Sequence, residues 1–357
     1  MRLGRIAATF VAAVLAVSLL GLGVAADPGA PGSESSASAP GLQIILIADD
    51  RYTGSRRVPP PARAVRGIQS ATFTVNWNPG SCTRPVASWP SGAQTAFLYA
   101  VSIWSSLIDS SVAIEVDACW VTDLAGNVLG SAGTKRIYAD YGSFPYSGTW
   151  YAGALADSLE GIDLESSYAE IEANFNANRS DWYYGTDGNP GGSQYDFASV
   201  VLHELCHGLG FHGFAYVEVG LGYNLWYGYP AIYDRFTEDG NGLDLDTYAN
   251  GSAALDNALR GQVGGGVYWF GAAGVAENGS SVVQLYSPSI WSSGSSYSHL
   301  GQSFNGTPHS LMTYSLSNGD SQHDPGAIVM GMLADMGWTV PVDVTIQKQV
   351  VGGGTNL

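Results

Sequence analysis

The chain has 357 residues, with 14 Lys and Arg against 31 Asp and Glu, a formal charge of −17 and only 13% charged residues. That length holds one large domain or two modest ones with a real core. The acidic balance repels phosphate backbones, so nucleic acid and anionic membrane surfaces are excluded as partners, and the plentiful Gly, Ser and Tyr point to a loop-rich exported protein.

Arg2 and Arg5 precede an apolar run from Ile6 to Val24, followed by small residues up to Ala26. Charge, apolar run and small residues in that order predict a secretory signal peptide over residues 1–26. The mature chain is expected to be secreted and extracellular, free or at the cell surface, monomeric, and without membrane contact after cleavage. Residues 27–68 form a low-complexity N-terminal segment, a candidate propeptide. Within it "DPGAPGSESSASAP" is too polar and too rich in Pro, Gly and Ser to pack and is expected to be flexible. "LQIILIADD" reads as a strand, and "RRVPPPARAVRG" as a stiff basic connector.

Regular structure is expected from "ATFTVNW" onward. Ser91 is placed to cap a helix reaching about Ile108, with Phe97, Ala100, Val101, Trp104 and Ile108 on one face. "VAIEVDACW" alternates as a half-buried strand does, and "AEIEANFN" alternates again. "YDFASVVLHELCHGLG" predicts a helix from near Asp196 that breaks at Gly208 and Gly210. The stretch from Asn250 to Ser298 is poor in charge and rich in Gly, Ser and aromatics. A last helix is capped by Asp324, carries Pro325 in its first turn and stops at Gly337. The sequence thus predicts an α+β domain over residues 69–339, with strand, helix and further strands before the histidine helix and a loop-rich C-terminal part ending in a helix. Residues 340–357 read as a linker and the first strand of a further β-domain. Of the three cysteines, Cys82 and Cys119 are a candidate disulfide, and Cys206 reads as a small buried thiol.

Chemistry concentrates in "VLHELCHGLGFH", residues 201–212. His203 and His207 lie about 40° apart on one helix face, one turn along, so both imidazoles can meet one ion. Glu204 is rotated away from that line and can reach a metal-bound water without ligating the metal. His212 fails as third ligand: in an extended segment neighbouring side chains point opposite ways, so its ring faces away.

Farther on stands "SSYSHLGQSFNGTPHSLMTYSLSNG". With the histidine helix, this passage resembles the metzincin zinc endopeptidases of the leishmanolysin-like kind. There HExxHxxGF is followed by an insertion, then by an "SH" segment and an "LM" methionine turn. The resemblance covers roughly residues 69 to 338. It implies a metzincin-like fold with an N-terminal mixed sheet, zinc on His203, His207 and His299, Glu204 as general base, and Met312 as the turn methionine. Two departures stand out: Leu300 follows the histidine where a bulky aromatic is usual, and cysteines are few. Tyr314, two residues after Met312, matches a tyrosine that in the astacin-like and serralysin-like branches hydrogen-bonds the transition state; a packed aromatic is the other reading. The thermolysin-like arrangement is set aside, since Glu218 and Glu238 lie in no helical pattern. The segment over 27–68 has no cysteine, which excludes a thiol-on-zinc latency switch from it.

Three neutral imidazoles leave zinc an open position for water and lower that water's pKa toward roughly 7. The implied reaction is hydrolysis of peptide bonds in protein or peptide substrates, with Glu204 passing the proton on to the leaving amine. Calcium is a second candidate cofactor at Asp187 and Asn189 in "TDGNPGG" and at "EDGNGLDLD" from Glu238, where ordinary turns are the competing reading. His309 and His323 read as surface or capping residues. From a different class, an exported adhesin or glycan-binding module is suggested by the many aromatics and few charges.

Overall fold

The computed structural model describes residues 36–53, 55–61 and 70–340. The expected signal peptide and the expected C-terminal β-strand after Val340 lie outside these residues, as does part of the basic connector.

Six strands form the main sheet. Its first strands in the chain are β2 (Ile44–Thr53), β4 (Phe73–Trp77), β5 (Ile114–Val121), β6 (Val128–Thr134) and β9 (Ile171–Asn176). With β17 (Ser315–Asn318) they lie in the spatial order β17-β2-β6-β9-β5-β4. β4, β5 and β9 run parallel, β6 runs antiparallel to β9, β2 antiparallel to β6, and β17 parallel to β2. From Val116 onward β5 is buried on both faces rather than half-buried, because Asp117 is met by Lys135 at 2.5 Å and Cys119 is joined to Cys82; of its residues Glu115 is exposed. The expected disulfide is therefore present, and Cys206 is the buried free thiol expected of it.

Helix α1 (Ser91–Ser105) buries Phe97, Ala100, Val101 and Trp104, as its periodicity predicts, but its N-cap is Pro90 and no side chain caps it. The Trp104 indole donates to the Leu202 carbonyl at 3.0 Å, locking α1 to α3 (Phe197–Gly208). α3 packs on β6, β9 and β2. It is buried on every side, its polar Ser199, His203, Glu204 and His207 included.

Shorter elements build the rest. β7 (Arg136–Ala139) joins β1 (Ala37–Pro40) and β8 (Tyr151–Ala152), which leads into α2 (Gly153–Glu160). β3 (Arg57–Val58) pairs with β18 (Ser321–Gln322), β10 (Trp182–Tyr183) with β11 (Tyr195–Asp196), and β12 (Tyr216–Glu218) with β13 (Leu221–Tyr223). The loop-rich part adds α4 (Ala253–Leu259), α5 (Ala272–Glu277) and a sheet of β14 (Thr237–Asp239), β15 (Val267–Trp269) and β16 (Val283–Leu285). The last helix, α6 (Ala327–Met336), packs on α5 and ends at Gly337 with φ 119°, the left-handed stop expected there, but it starts later than expected: its N-cap is Gly326 with no side-chain cap, and Asp324 and Pro325 lie before it. The described residues thus form an α+β fold of six helices and several sheets.

A further expectation is corrected. Residues 37–40 are not a flexible tail, and regular structure begins before "ATFTVNW". Alternating small residues let Ala39 turn inward, 6% exposed, while the backbone of 37–40 adds to the edge of β7. Composition argued against packing, but edge pairing needs only main-chain groups. "LQIILIADD" is a strand as expected; it lies inside the main sheet.

Candidate metal centre

The site begins at the start of α3. Asp196 caps the helix by accepting from the Ser199 amide at 2.8 Å and its hydroxyl at 2.7 Å. The same carboxylate lies 2.7 Å from His323 Nε2, whose Nδ1 is 3.2 Å from the Tyr99 hydroxyl. His323 is thus a buried support of the cap, 1% exposed, rather than a surface residue. Its position after β18 places it over the helix start, a tertiary fact that local sequence does not carry.

One turn apart on α3, His203 and His207 point toward His299, which arrives from the segment before the methionine turn. Each Nδ1 is spoken for: His203 Nδ1 lies 2.6 Å from the Leu311 carbonyl, His207 Nδ1 2.7 Å from that of Phe211, and His299 Nδ1 2.7 Å from that of Ser295. A carbonyl only accepts, so each Nδ1 carries the hydrogen and each Nε2 of a neutral ring presents a lone pair. Burial keeps the rings neutral, holding His203 down to about 4 and His207 and His299 well below the usual histidine range. The three Nε2 atoms then face one another at 3.0, 3.2 and 3.2 Å with no proton between them. Lone pairs that close repel, and a cation among them turns the repulsion into ligation. Tetrahedral ligands at a metal–nitrogen distance of about 2.0–2.1 Å stand about 3.3 Å apart, close to this spacing. The three histidines form a group able to hold a metal ion.

Glu204 lies beside them, fully buried, and neither carboxylate oxygen has a hydrogen-bond partner among the described residues. Burial pushes its carboxyl well above the usual range, and the nearby Leu46 amide, short of good hydrogen-bond geometry, opposes this only in part. A cation held by the three rings acts in the same direction as Leu46, favouring the charged form. An orphaned buried carboxylate is costly unless something meets it. The donor set and this orphan together fit a metal with an open, water-accepting position.

How His299 reaches the site depends on residues the sequence did not single out. Tyr297 takes φ 75°, a left-handed conformation that costs a non-glycine residue about 1–2 kcal/mol. Its hydroxyl donates to Asp234 at 2.7 Å, and backbone bonds to Tyr286 flank it on both sides: Tyr297 N to Tyr286 O at 2.7 Å and Tyr286 N to His299 O at 2.8 Å. Asp234 also accepts from the Phe214 amide at 3.1 Å and the Ala231 amide at 2.7 Å, so one buried carboxylate ties the turn after α3 to the His299 segment. Between them sits Gly213. A Cβ there would stand 2.2 Å from both Asp234 Oδ1 and Tyr297 Cε1, so no side chain, ligand or otherwise, fits at that position.

Met312 is fully buried in a 3-10 turn, Ser310–Met312. The carbonyl of Leu311 holds the His203 ring, and that of Met312 accepts from the Leu300 amide at 2.8 Å, so the turn holds one ring of the tripod and the backbone next to another. Tyr314 stacks on Tyr286 with centroids 4.2 Å apart, and its hydroxyl accepts from Gln302 at 3.2 Å. In this conformation the packed-aromatic reading describes its ring. His212 stays apart from the tripod, as expected: it is buried, 5.4 Å from the Phe214 ring, and neither of its nitrogens has a partner among the described residues.

Against known proteins, a family model described as SPBPB7E8-like matches residues 150–216. That span runs from Trp150 through β9 and α3 and includes the two helix histidines and Glu204. No curated protein and no solved structure matches the chain. No helix among the described residues is long and apolar enough to cross a membrane.

The two acidic loops considered for calcium are occupied by their own chain. Asp187 accepts from the Tyr183 hydroxyl at 2.5 Å and the Asn189 amide at 3.2 Å. Asp239 accepts from the Asn241 amide at 2.7 Å and the Tyr248 hydroxyl at 2.7 Å. These are the bonds of ordinary Asx turns. A group missed in the sequence, Asp157, Asp163 and Glu170, gathers carboxylate oxygens within 4.8 Å of one another.

Proposed function

We propose that this chain is an exported zinc-dependent endopeptidase of the metzincin type, leishmanolysin-like in taking its third histidine from a distant segment. The observation that carries the proposal is the tautomer pattern: three Nδ1–H groups pinned to carbonyls and three Nε2 lone pairs within 3.2 Å of one another, beside an orphaned glutamate. His203, His207 and His299 would hold the ion, and Met312 closes the floor beside them. Zinc bound there supplies Lewis acidity, acidifying a water and polarising a scissile carbonyl. Glu204 takes the proton from the attacking water and delivers it to the leaving amine. Its apolar, buried surroundings favour acceptance of that proton.

The order of the sheet supports the same reading. α3 lies against β6 and β9, and the methionine turn leads directly into β17, an edge strand of the same sheet. The zinc content of the purified chain, with casein hydrolysis measured before and after chelation, tests the proposal. One zinc per chain and chelator-sensitive cleavage are expected, with Glu204→Gln keeping the zinc and losing nearly all turnover. Full turnover in that variant removes the glutamate from the mechanism. Partner binding without metal would favour the adhesin reading, for which the exposed rings of Tyr146, Tyr168 and Tyr227 are the support.

A further inference from the structure

Two consecutive hairpins follow the turn after α3, and both carry an apolar residue where the chain reverses. In the first, Glu218 of β12 stands directly opposite Leu221 of β13, so Val219 and Gly220 alone make the loop. In the second, Trp226 and Tyr229 exchange backbone bonds at 2.9 and 3.2 Å around Tyr227 and Gly228. Val219 takes φ 51° and Gly220 75°, Tyr227 46° and Gly228 91°: positive at both central positions, as a type I′ turn requires. Glycine is at home in the second position of each. The first position suits Asn or Asp, whose short polar side chains tolerate a left-handed backbone; a β-branched valine and a bulky tyrosine are strained there. Burial does not compensate either residue, since Val219 is 95% exposed and Tyr227 64%. Strain joined to exposure, at two turns in succession, points to a contact made outside the chain.

The hairpins stand on a fixed base. A Cβ at Gly222 would lie 2.4 Å from the Asp256 amide nitrogen, so β13 sits directly on α4. Asn224, between the hairpins, donates to the Leu245 carbonyl at 2.9 Å, and the Trp150 indole donates to the Trp226 carbonyl at 2.5 Å. Whatever the tips enter must admit apolar side chains and ask for no cation. Residues 180–234 include no Lys or Arg, the flanking Arg179 and Arg235 are paired with Asp181 and Asp246, and Glu218 is the one charged residue from 216 to 229. An anionic lipid surface, which recruits Lys and Arg, is therefore disfavoured. A glycan could stack on Tyr227 but has no use for the aliphatic Val219 and the exposed Leu221. Beside the tips, Tyr216 and Tyr223 stack across the first hairpin with centroids 4.8 Å apart, and Trp226 meets Tyr227 at 5.4 Å. Amphipathic rings of this kind settle at the boundary between hydrocarbon and water. We propose that the Val219 and Tyr227 turns are a docking surface for a membrane of zwitterionic phospholipid, entering its headgroup boundary without spanning it. The expected lack of membrane contact after signal cleavage rested on net charge and on the lack of a spanning run, and two short turns register in neither. The inference goes beyond the endopeptidase reading and stands without it.

The test uses the chain from Asp27 onward, which keeps every described element and leaves out the apolar run of residues 6–24 that would enter lipid by itself. Co-sedimentation with phosphatidylcholine vesicles compares the natural chain with Val219→Asn, Tyr227→Asn and the two combined. Each single variant is expected to lower vesicle affinity about tenfold, the loss from withholding one large apolar side chain from hydrocarbon. Because Asn-Gly suits a type I′ turn, the same variants are expected to unfold at an equal or higher temperature and to match the natural chain in zinc content, so lost binding does not come from lost fold. Val219→Trp is expected to bind more tightly, and added salt is expected not to weaken the natural chain's binding. A natural chain that ignores phosphatidylcholine vesicles overturns the proposal, as does equal binding by the natural chain and the double variant. Binding confined to phosphatidylglycerol vesicles and lost with salt also overturns it. Retention on chitin or cellulose that the double variant abolishes, without vesicle binding, gives the tips to a glycan and overturns the lipid. Tip-dependent vesicle binding by a chain that does not hydrolyse casein supports the docking surface and sinks the peptidase reading alone.

Discussion

Gly130 of β6 leaves the space in which the Glu204 carboxylate lies. A Cβ at position 130 would stand 2.8 Å from Glu204 Oε1 and 3.0 Å from its Cγ, with the Asn174 carbonyl 3.1 Å away on the strand side. The backbone of β6 cannot yield, since β2 and β9 bond it on both edges, so the glutamate must move. Gly130→Ala is expected to retain zinc and to lower kcat on casein. A displacement near 1 Å of a reacting group costs on the order of a hundredfold. Measurement of zinc content beside kcat checks this, and an alanine variant with unchanged kcat would mean the carboxylate works from elsewhere.

His299→Ala and His212→Ala separate the two histidines that competed for the third position. The first removes an Nε2 from the tripod, and zinc affinity is expected to fall by more than the roughly 10–100-fold that a supporting hydrogen bond is worth. The second removes a ring outside the tripod and is expected to leave zinc affinity unchanged. His212→Phe goes further: among the described residues neither buried nitrogen has a partner, so an apolar ring of similar shape is expected to be neutral or to stabilise by about 1 kcal/mol. Competition against a chelator ranks the affinities, and thermal unfolding reads the stability.

Tyr297→Phe tests how His299 is aimed. The variant loses the hydroxyl that bonds Asp234 at 2.7 Å and lies 2.9 Å from the Thr237 hydroxyl, leaving a buried carboxylate short of one donor. The expected cost is about 1–3 kcal/mol of stability. Because the strained backbone at residue 297 is then less firmly held, zinc should also leave faster. A loss of stability with unchanged zinc release would confine Tyr297 to packing.

The reach of the sequence was uneven for physical reasons. His203 and His207 were legible because helical spacing alone fixes their relative direction. The end of α3 was legible in its glycines and that of the last helix in Gly337, whereas Asp324 misplaced its start: the helix begins at Ala327 after Gly326, whose amide Asp324 holds. His299 came only from the resemblance of its segment to a known pattern, since nothing local says that Ser295 will hold its ring. Gly130, Asp234 and Tyr297 were silent, because their roles exist only across strands and turns far apart in the chain. "LQIILIADD" was legible as a strand from its composition, but which neighbours it joins depends on backbone groups that every sequence carries.

Asp157 near the end of α2 and Glu170 just before β9 give the fold a pH dependence apart from the tripod. Burial pushes Asp157 up to about 6 and Glu170 up to about 7; the charge of Asp163 adds to both rises and that of Asp157 to the rise of Glu170, while a hydrogen bond from Glu170 lowers Asp157. Only partial relief comes from the Leu164 amide on Asp157 and the Glu115 amide on Glu170. Raised carboxyl pKa values mean that the folded chain holds protons the unfolded chain has already released. Stability should therefore fall as pH rises from the ordinary carboxyl range, about 4, through about 7, and level off above it. Glu170→Gln removes one of these ionisations and is expected to flatten the fall, leaving the variant more stable than the natural chain at pH values above 7. Urea unfolding of both proteins across that window measures the difference, and parallel profiles would show that Glu170 ionises as freely in the folded chain as in the unfolded one.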